Sequence, residues 1–232
     1  MRLIYFHGCG DNDEKGSGVY VVAGIAVRDA DLYHVRRGMR NLINARISPW
    51  AENSRSGLHV PAETEGAVCS EWEGDGPYDF LGKEEKEAFE DGMLRVARAS
   101  SLKALGVVVE KREYFKKYLL PRPPELFSME LFSERCEDYL GKINDTGMLI
   151  CSGGAAGIER IARDFSGRLR GTGMPRLPHI TENLLSIPAG LSDLLPLAAF
   201  FSRSLFLKHE HGRDSRFKEL RNKFLKLKTF PD

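Results

Sequence analysis

A histidine and a cysteine lie close together near the start of the chain, within the segment His7–Asp11. A cysteine can act as a nucleophile when a nearby base or cation stabilises its thiolate, and His7 is the nearest candidate base for Cys9. No residue in the segment is identified as a third group that would orient the imidazole. Its two glycines and Asp11 are also typical of a turn. We therefore favour a turn over a thiol mechanism.

A glycine-rich segment, Cys151–Gly157, joins a predicted strand to a predicted helix. Backbone N–H groups and the helix dipole at such a junction can bind an anion. The spacing matches neither the dinucleotide fingerprint nor the phosphate-binding loop, which needs Lys followed by Ser or Thr. We favour a plain strand-to-helix turn, with an anion site as the alternative.

A second histidine cluster, His209-Glu210-His211 with Asp214, contains residue types that bind metals. On a helix, histidines two positions apart lie on different faces and cannot share one ion easily. This favours a solvated polar turn, so no metal ligand is assigned here and no cofactor is expected.

The elements that must position these residues follow from composition and periodicity. The 232 residues are 42% hydrophobic and 29% charged, which is typical of one folded domain and excludes global disorder. Strands are predicted at Arg2–Phe6, Val19–Val27, Leu102–Val109, Gly147–Cys151 and Pro178–Leu185, and helices at Asp29–Ile47, Lys83–Ala99, Leu126–Leu140, Ala155–Leu169 and Leu191–Leu207. An N-terminal hairpin followed by alternating strands and helices predicts an α/β domain with a mixed sheet flanked by helices.

The overall charge is balanced, with 34 Lys and Arg against 33 Asp and Glu, so composition indicates neither a nucleic-acid nor a membrane partner. Four widely spaced cysteines indicate a reducing compartment, and no secretory signal or apolar stretch of about 20 residues is evident. We expect a cytoplasmic protein without a membrane partner, forming a single domain over residues 1–232.

Charge is nevertheless uneven along the chain. Residues 63–91 hold eleven acids against two lysines, and an acidic loop or excursion is predicted at about 51–82. Residues 203–228 hold nine Lys or Arg against three acids and form a predicted basic helical region. A solvated cationic helix face is the simpler interpretation of this region, and contact with a nucleic-acid backbone is the alternative. The candidate phosphate contacts are Arg213, Arg216, Arg221 and Lys223.

The order of motifs resembles a bacterial family, the domain-of-unknown-function 3800 family, whose fold is similar to those of RNase H and integrase. The matching blocks cover nearly the whole chain and are Tyr5–Asp11, Tyr20–Val27, Leu58-His59, Gly106–Lys111, Met148–Ser152 and Leu195–Phe201. The resemblance implies an RNase H-like domain with acidic side chains on the first strand, a central strand and a late helix. Those acids would hold Mg²⁺ or Mn²⁺ ions that activate water.

The residues at the implied metal site depart from this pattern. The chain carries His7, Gly8, Cys151, Ser152 and Ala199 where the resemblance places carboxylates. Hard divalent ions need charged oxygen ligands, which these side chains do not supply. In addition, Pro196 replaces a glutamine in the closing helix, so this helix either begins within Asp193–Leu195 or is kinked.

The favoured hypothesis is thus a catalytically inactive RNase H-like protein that retains binding of nucleic acid, through the basic C-terminal region, or of a protein partner. One alternative is an active Mg- or Mn-dependent nuclease that uses Asp11, Glu182 and Asp193, which lie near the ends of predicted elements. The simpler roles for Asp11 and Asp193 are a turn residue and a helix-capping acid. A second alternative is a protein-interaction module whose acidic segment meets a basic partner.

Overall fold

The computed structural model describes residues 1–46, 81–152, 161–163, 165–167, 169, 176–188, 191–225 and 227–231. Within them, the strands are β1 (Arg2–Cys9), β2 (Val19–Arg28), β3 (Lys103–Glu110), β4 (Gly147–Cys151), β5 (Leu185–Ser186) and β6 (Lys228–Phe230). The helices are α1 (Asp29–Arg46), α2 (Lys83–Ala99), α3 (Lys111–Lys117), α4 (Pro124–Lys142), α5 (Leu195–His211) and α6 (Ser215–Leu220).

The strands form one mixed sheet in the order β5-β4-β1-β2-β3-β6. β2 runs antiparallel to both β1 and β3, whereas β4 pairs with β1, β5 with β4 and β6 with β3 in parallel. Strands β1, β3 and β4 therefore run in the same direction. Their last residues, Cys9, Glu110 and Cys151, lie at one edge of the sheet, which we call the carboxyl edge.

Helices cover both faces of the sheet. On one face α1, α2 and α5 pack against side chains such as Tyr5 and Ile25, and on the other face α4 packs against Ile4 and Phe6. Because side chains alternate along a strand, His7 and Cys9 lie on the same side of β1 as Tyr5 and face α5. Both sides of β1 and β2 are covered, which explains why these strands are continuous hydrophobic runs.

A glycine in the middle of β2 allows α4 to approach the sheet closely. A Cβ atom on Gly24 would lie 2.6 Å from the carbonyl oxygen of Tyr5 and 2.9 Å from Cζ of Phe132. The absence of a side chain lets the buried Phe132 ring lie beside Phe6, with the ring centroids 5.3 Å apart. Aromatic packing across this point joins α4 to the central strands.

The predicted α/β class with its mixed sheet is confirmed, and the predicted bounds of α2 and β4 agree with the structure. The last predicted strand, 178–185, is wrong in extent. It reduces to β5 and one isolated bridge between Ile180 and Gly147. The side chains of Glu182 and Asn183 accept hydrogen bonds from the next backbone N–H along the chain, and such local bonds compete with strand pairing.

The start of the closing helix also differs from the predicted bounds. α5 begins at Leu195 rather than Leu191, and Pro196 lies in its first turn, one of the two arrangements expected for this proline. The N-cap residue is Leu194, and no side chain caps this end, so Asp193 does not have the capping role expected of it. The Oγ of Ser192 accepts hydrogen bonds from the backbone N–H groups of Leu194 and Leu195 at 3.3 and 3.4 Å, in the turn before the helix.

Two elements have no counterpart among the predictions. α3 is a short polar helix, and β6 begins at Lys228, the last residue of the basic region predicted to be helical. β6 is extended because it pairs with β3 at the edge of the sheet, a contact between segments far apart in sequence. Predictions on residues 51–80 and 153–160, including most of the acidic excursion and of the glycine-rich turn, lie outside the described residues. Among the helices that are described, none is long and apolar enough to cross a membrane.

Candidate functional site

The positions where the resemblance places carboxylates come from three elements that meet near the carboxyl edge. Phe6 of β1 pairs in register with Cys151 of β4. The next residues, His7 of β1 and Ser152 just after β4, therefore lie at the same level of the sheet. α5, which carries Ala199, packs on β1. The fold thus brings the elements of the implied site together, although the side chains differ from those expected of a metal site.

His7 is the central group of this candidate site. Its side chain faces α5 and is only 7% exposed, and no group in the described structure forms a hydrogen bond with its Nε2 atom. Burial lowers the pKa of His7 to about 4. The imidazole is therefore neutral at neutral pH and contributes no charge to the carboxyl edge.

The neighbouring thiols are protonated at the same pH. Burial raises the pKa of Cys9 to about 11 and the pKa of Cys151 to about 12. His7 and Cys9 share a face of β1, yet a neutral thiol held at that pKa is a poor nucleophile. The structure therefore does not support a thiol mechanism, but the predicted turn is wrong for His7–Cys9, which lie within β1, and the bend begins at Gly10.

These residues do not fit the divalent ions that the resemblance implies. The four side chains offered are a neutral imidazole, a protonated thiol, the hydroxyl of Ser152 and the methyl of Ala199, and Gly8 offers none. Mg²⁺ and Mn²⁺ prefer several oxygen ligands, carboxylates among them, whereas these side chains supply one hydroxyl oxygen. Across the described part of the chain, no group of three or more His, Cys, Asp or Glu side chains is arranged to hold a metal ion.

Asp11 lies at the carboxyl edge but serves as a partner for a buried lysine. Lys111 is 1% exposed, and its Nζ donates hydrogen bonds to Oδ1 of Asp11 at 2.7 Å, to the carbonyl oxygen of Asp11 at 3.2 Å and to that of Asp13 at 2.6 Å. Ser17 donates its backbone N–H to Oδ2 of Asp11 at 2.6 Å. Burial raises the pKa of Asp11, and the hydrogen bonds from Lys111 and Ser17 outweigh this effect, so the net pKa is lowered.

Other polar groups at this edge also hold the loop between β1 and β2. Asn12 and Glu125 form two hydrogen bonds. The side-chain amide of Asn12 donates to Oε2 of Glu125 at 3.3 Å, and the backbone N–H of Glu125 donates to Oδ1 of Asn12 at 3.1 Å. Glu210 of α5 accepts the backbone N–H groups of Gly18 and Val19 at 2.9 and 3.0 Å. The predicted solvated turn is wrong for His209, Glu210 and His211, which form the last turn of α5, and Glu210 supports the loop from there.

The other two candidate acids have separate partners. Asp193 forms ion pairs with Arg40 at 2.8 Å and with Arg36 at 3.5 Å, both on α1. Glu182 is exposed and accepts the backbone N–H of Asn183 at 3.0 Å. Asp11, Glu182 and Asp193 thus each have partners of their own, and within the described residues they form no group that could hold a metal ion.

The cations of the C-terminal region fall into two groups. Arg216 pairs with Glu90 at 3.3 Å and with Asp91. Nζ of Lys223 donates hydrogen bonds to the carbonyl oxygens of Arg98 and Ser100, at the C-terminal end of α2. These two side chains hold the C-terminal region against α2.

Arg213 and Arg221 are exposed. Arg221 lines an open surface cleft together with Arg98, Lys218, Glu219 and Asn222. Arg98 was not among the predicted residues because it lies on α2, more than a hundred positions earlier in the chain. In the sequence, Arg98 is recognisable only as a cation in the last turn of a predicted helix, a position that by itself indicates no binding role.

Comparison with known proteins adds information on the fold alone. The sequence matches no protein-family model and no curated protein. It is similar to a chain of the PCNA:RNase HII complex from Archaeoglobus fulgidus, with a TM-score of 0.42 and 13% identity over 96% of this chain and 87% of that chain. It is also similar to ribonuclease H2 from Pyrococcus horikoshii OT3, with a TM-score of 0.43 and 10% identity over 94% and 84% of the two chains. Both similarities are structural and at low identity.

A titration with Mn²⁺ tests the assignment of the site. We expect no saturable heat up to several millimolar Mn²⁺ and no rise in melting temperature, because the carboxylates are missing or bound to other groups. An ion present at 100 times its Kd would stabilise the fold by about 2.7 kcal/mol. Calorimetry on protein treated with a chelator, with Mg²⁺ in parallel, measures both quantities. Saturable binding that disappears in Asp11→Asn or Asp193→Asn would refute the assignment and support the nuclease alternative.

Proposed function

We propose that this chain is a member of the domain-of-unknown-function 3800 family that has lost metal-dependent hydrolysis and binds nucleic acid through its basic C-terminal region. The loss of hydrolysis is supported chiefly by the buried, neutral His7 at the position where a carboxylate would hold a divalent ion. The binding function is supported by the cationic cleft between the end of α2 and α6.

The cleft has the chemistry of a phosphate-binding surface. Arginine presents planar N–H groups that match phosphate oxygens, and contacts of this type supply most of the affinity for nucleic acid. Arg98 pairs with Glu219 at 2.9 Å, and the two side chains are 54% and 36% exposed. Because exposed ion pairs contribute at most about 1 kcal/mol, a phosphate can replace Glu219 as the partner of Arg98 at low cost.

Arg216 and Lys223 have a supporting role in this proposal. Arg216 holds α6 beside the acidic part of α2, and Lys223 binds carbonyl oxygens at the end of α2. Both interactions position Lys218 and Arg221 at the cleft. Replacing Arg216 is therefore expected to weaken binding through loss of structure, and Arg221 is the better probe of direct contact.

Binding to labelled oligonucleotides tests the proposed function. We expect Arg98→Glu/Arg221→Glu to weaken binding by at least about tenfold, and Arg221→Ala to lower the dependence of log Kd on log salt by about one. Fluorescence anisotropy with single-stranded and duplex DNA and RNA, at several salt concentrations, gives both values. The matched control is Arg37→Glu, which reverses an exposed arginine on α1.

Two results would refute this function. One is the absence of binding to every oligonucleotide at low salt. The other is an equal loss of affinity in Arg37→Glu, which would indicate a general effect of charge rather than the cleft. In either case the protein-interaction alternative would be the next to test.

A further inference from the structure

The loop between α3 and α4 carries an unusual apolar surface. Leu119 is 98% exposed and Leu120 is 89% exposed, and the two side chains are adjacent in sequence. Singly exposed leucines are common on proteins, but two adjacent ones at the tip of a loop leave a contiguous apolar surface in water. We call residues 118–123 the leucine loop.

The base of the leucine loop is held by an aromatic cluster. The Tyr118 ring lies 5.8 Å from Phe127 and 6.0 Å from Phe230, measured between centroids. The hydroxyl of the buried Tyr114 donates a hydrogen bond to the carbonyl oxygen of Arg122 at 2.9 Å. The two ends of the loop are therefore tied to α3, α4 and β6, and the leucines at its tip point away from the core.

Cations flank the leucines on both sides. Lys116 and Lys117 precede the loop, and Arg122, which pairs with Glu130 at 3.0 Å, follows the leucines. Nζ of Lys117 lies 4.7 Å from the centroid of the Phe230 ring, which places its charge near the base of the loop. Lys116 pairs with Glu113 at 2.8 Å on an exposed surface, a contact that leaves the ammonium group accessible to other anions.

We propose that the leucine loop docks on an anionic lipid surface. A protruding apolar tip can enter the boundary between headgroups and acyl chains, where leucine is stabilised by leaving water. The flanking cations, which lie nearer the base of the loop than the leucines, would meet the negative headgroups, and this adds electrostatic attraction. A nucleic-acid backbone would satisfy the cations but would leave the leucines in water. The observations therefore favour lipid.

This inference is independent of the proposed function, because the loop and the cleft consist of different residues. It revises the sequence-based expectation of no membrane partner. That expectation rested on the absence of a segment long enough to span a membrane. A six-residue surface loop can bind a membrane without spanning it, so this criterion does not detect it. Docking of this kind is peripheral and requires no spanning helix.

Sedimentation with lipid vesicles tests the proposal on the full chain. We expect binding to vesicles of phosphatidylcholine with about 30% phosphatidylserine to be at least about tenfold stronger than binding to phosphatidylcholine alone. Leu119→Ser/Leu120→Ser should lose at least about tenfold in affinity for the anionic vesicles. The matched control is Leu191→Ser, which alters a leucine that is 77% exposed and lies two positions before Asp193.

Three results would overturn the proposal. The first is no binding of the unaltered protein to anionic vesicles. The second is equal binding by Leu119→Ser/Leu120→Ser, and the third is an equal loss in Leu191→Ser. If Leu119→Ser/Leu120→Ser loses oligonucleotide binding and the unaltered protein does not bind vesicles, the loop belongs to a nucleic-acid interface instead. Because all three leucines are exposed, the variants should keep the melting temperature of the unaltered protein.

Discussion

Lowering the pH from 6.5 to about 4 is expected to destabilise the protein by about 3 kcal/mol through His7 alone. The histidine has its ordinary pKa of 6.5 in the unfolded chain, whereas burial lowers the pKa to about 4 in the folded protein. Between these values the unfolded chain binds a proton that the folded protein does not bind. Each pH unit in this window then costs about 1.4 kcal/mol of unfolding free energy, and the loss levels off below pH 4.

Denaturant unfolding at several pH values, for the unaltered protein and for His7→Leu, measures this contribution. The leucine does not titrate and leaves no unpartnered nitrogen in the apolar surroundings, so the variant should lose less stability on acidification. Burial also lowers the pKa of His209, with a smaller contribution from Lys208, but this effect is common to both proteins. Parallel curves for the unaltered protein and His7→Leu would contradict the burial of His7.

The substitution Lys111→Met is expected to lower the free energy of unfolding by about 2 to 3 kcal/mol. Methionine keeps most of the buried aliphatic volume, so the loss isolates the ammonium group. Removing this group leaves the carbonyl oxygens of Asp11 and Asp13 and the carboxylate of Asp11 without their donor. The side chain of Asp11 is about half exposed, so water can solvate its charge and the loss stays below that of a fully buried ion pair.

Chemical unfolding at neutral pH, with Lys116→Met as the matched control, tests this expectation. Lys116 is exposed and pairs with Glu113 on the surface, so its replacement should cost less than about 1 kcal/mol. Asp11→Asn should cost less than Lys111→Met, because the amide oxygen can still accept a hydrogen bond from the ammonium group and the two carbonyl acceptors remain. Equal effects of Lys111→Met and Lys116→Met would show that the buried lysine does not hold the loop between β1 and β2.

Several features of this protein followed from local sequence. The segment that forms α2, Lys83–Ala99, has apolar residues at helical spacing and acids in its first turn. The segment that forms β4 is a short apolar run, and both elements were predicted with their observed bounds. The absence of carboxylates at positions 7, 8, 152 and 199 was also evident from residue types. Residue type and local periodicity suffice for such conclusions because they depend on a few neighbouring positions.

The partners and protonation of those residues were decided by tertiary structure. Asp11 is bound by Lys111, a hundred positions later in the chain, and Arg216 is bound by acids of α2. Burial of His7, which depends on how α5 packs on β1, determines its pKa. β6 and the partners of Arg98 likewise depend on contacts between segments far apart in sequence. A local pattern states which groups a chain carries, but packing determines which of them meet, lose water and change their charge.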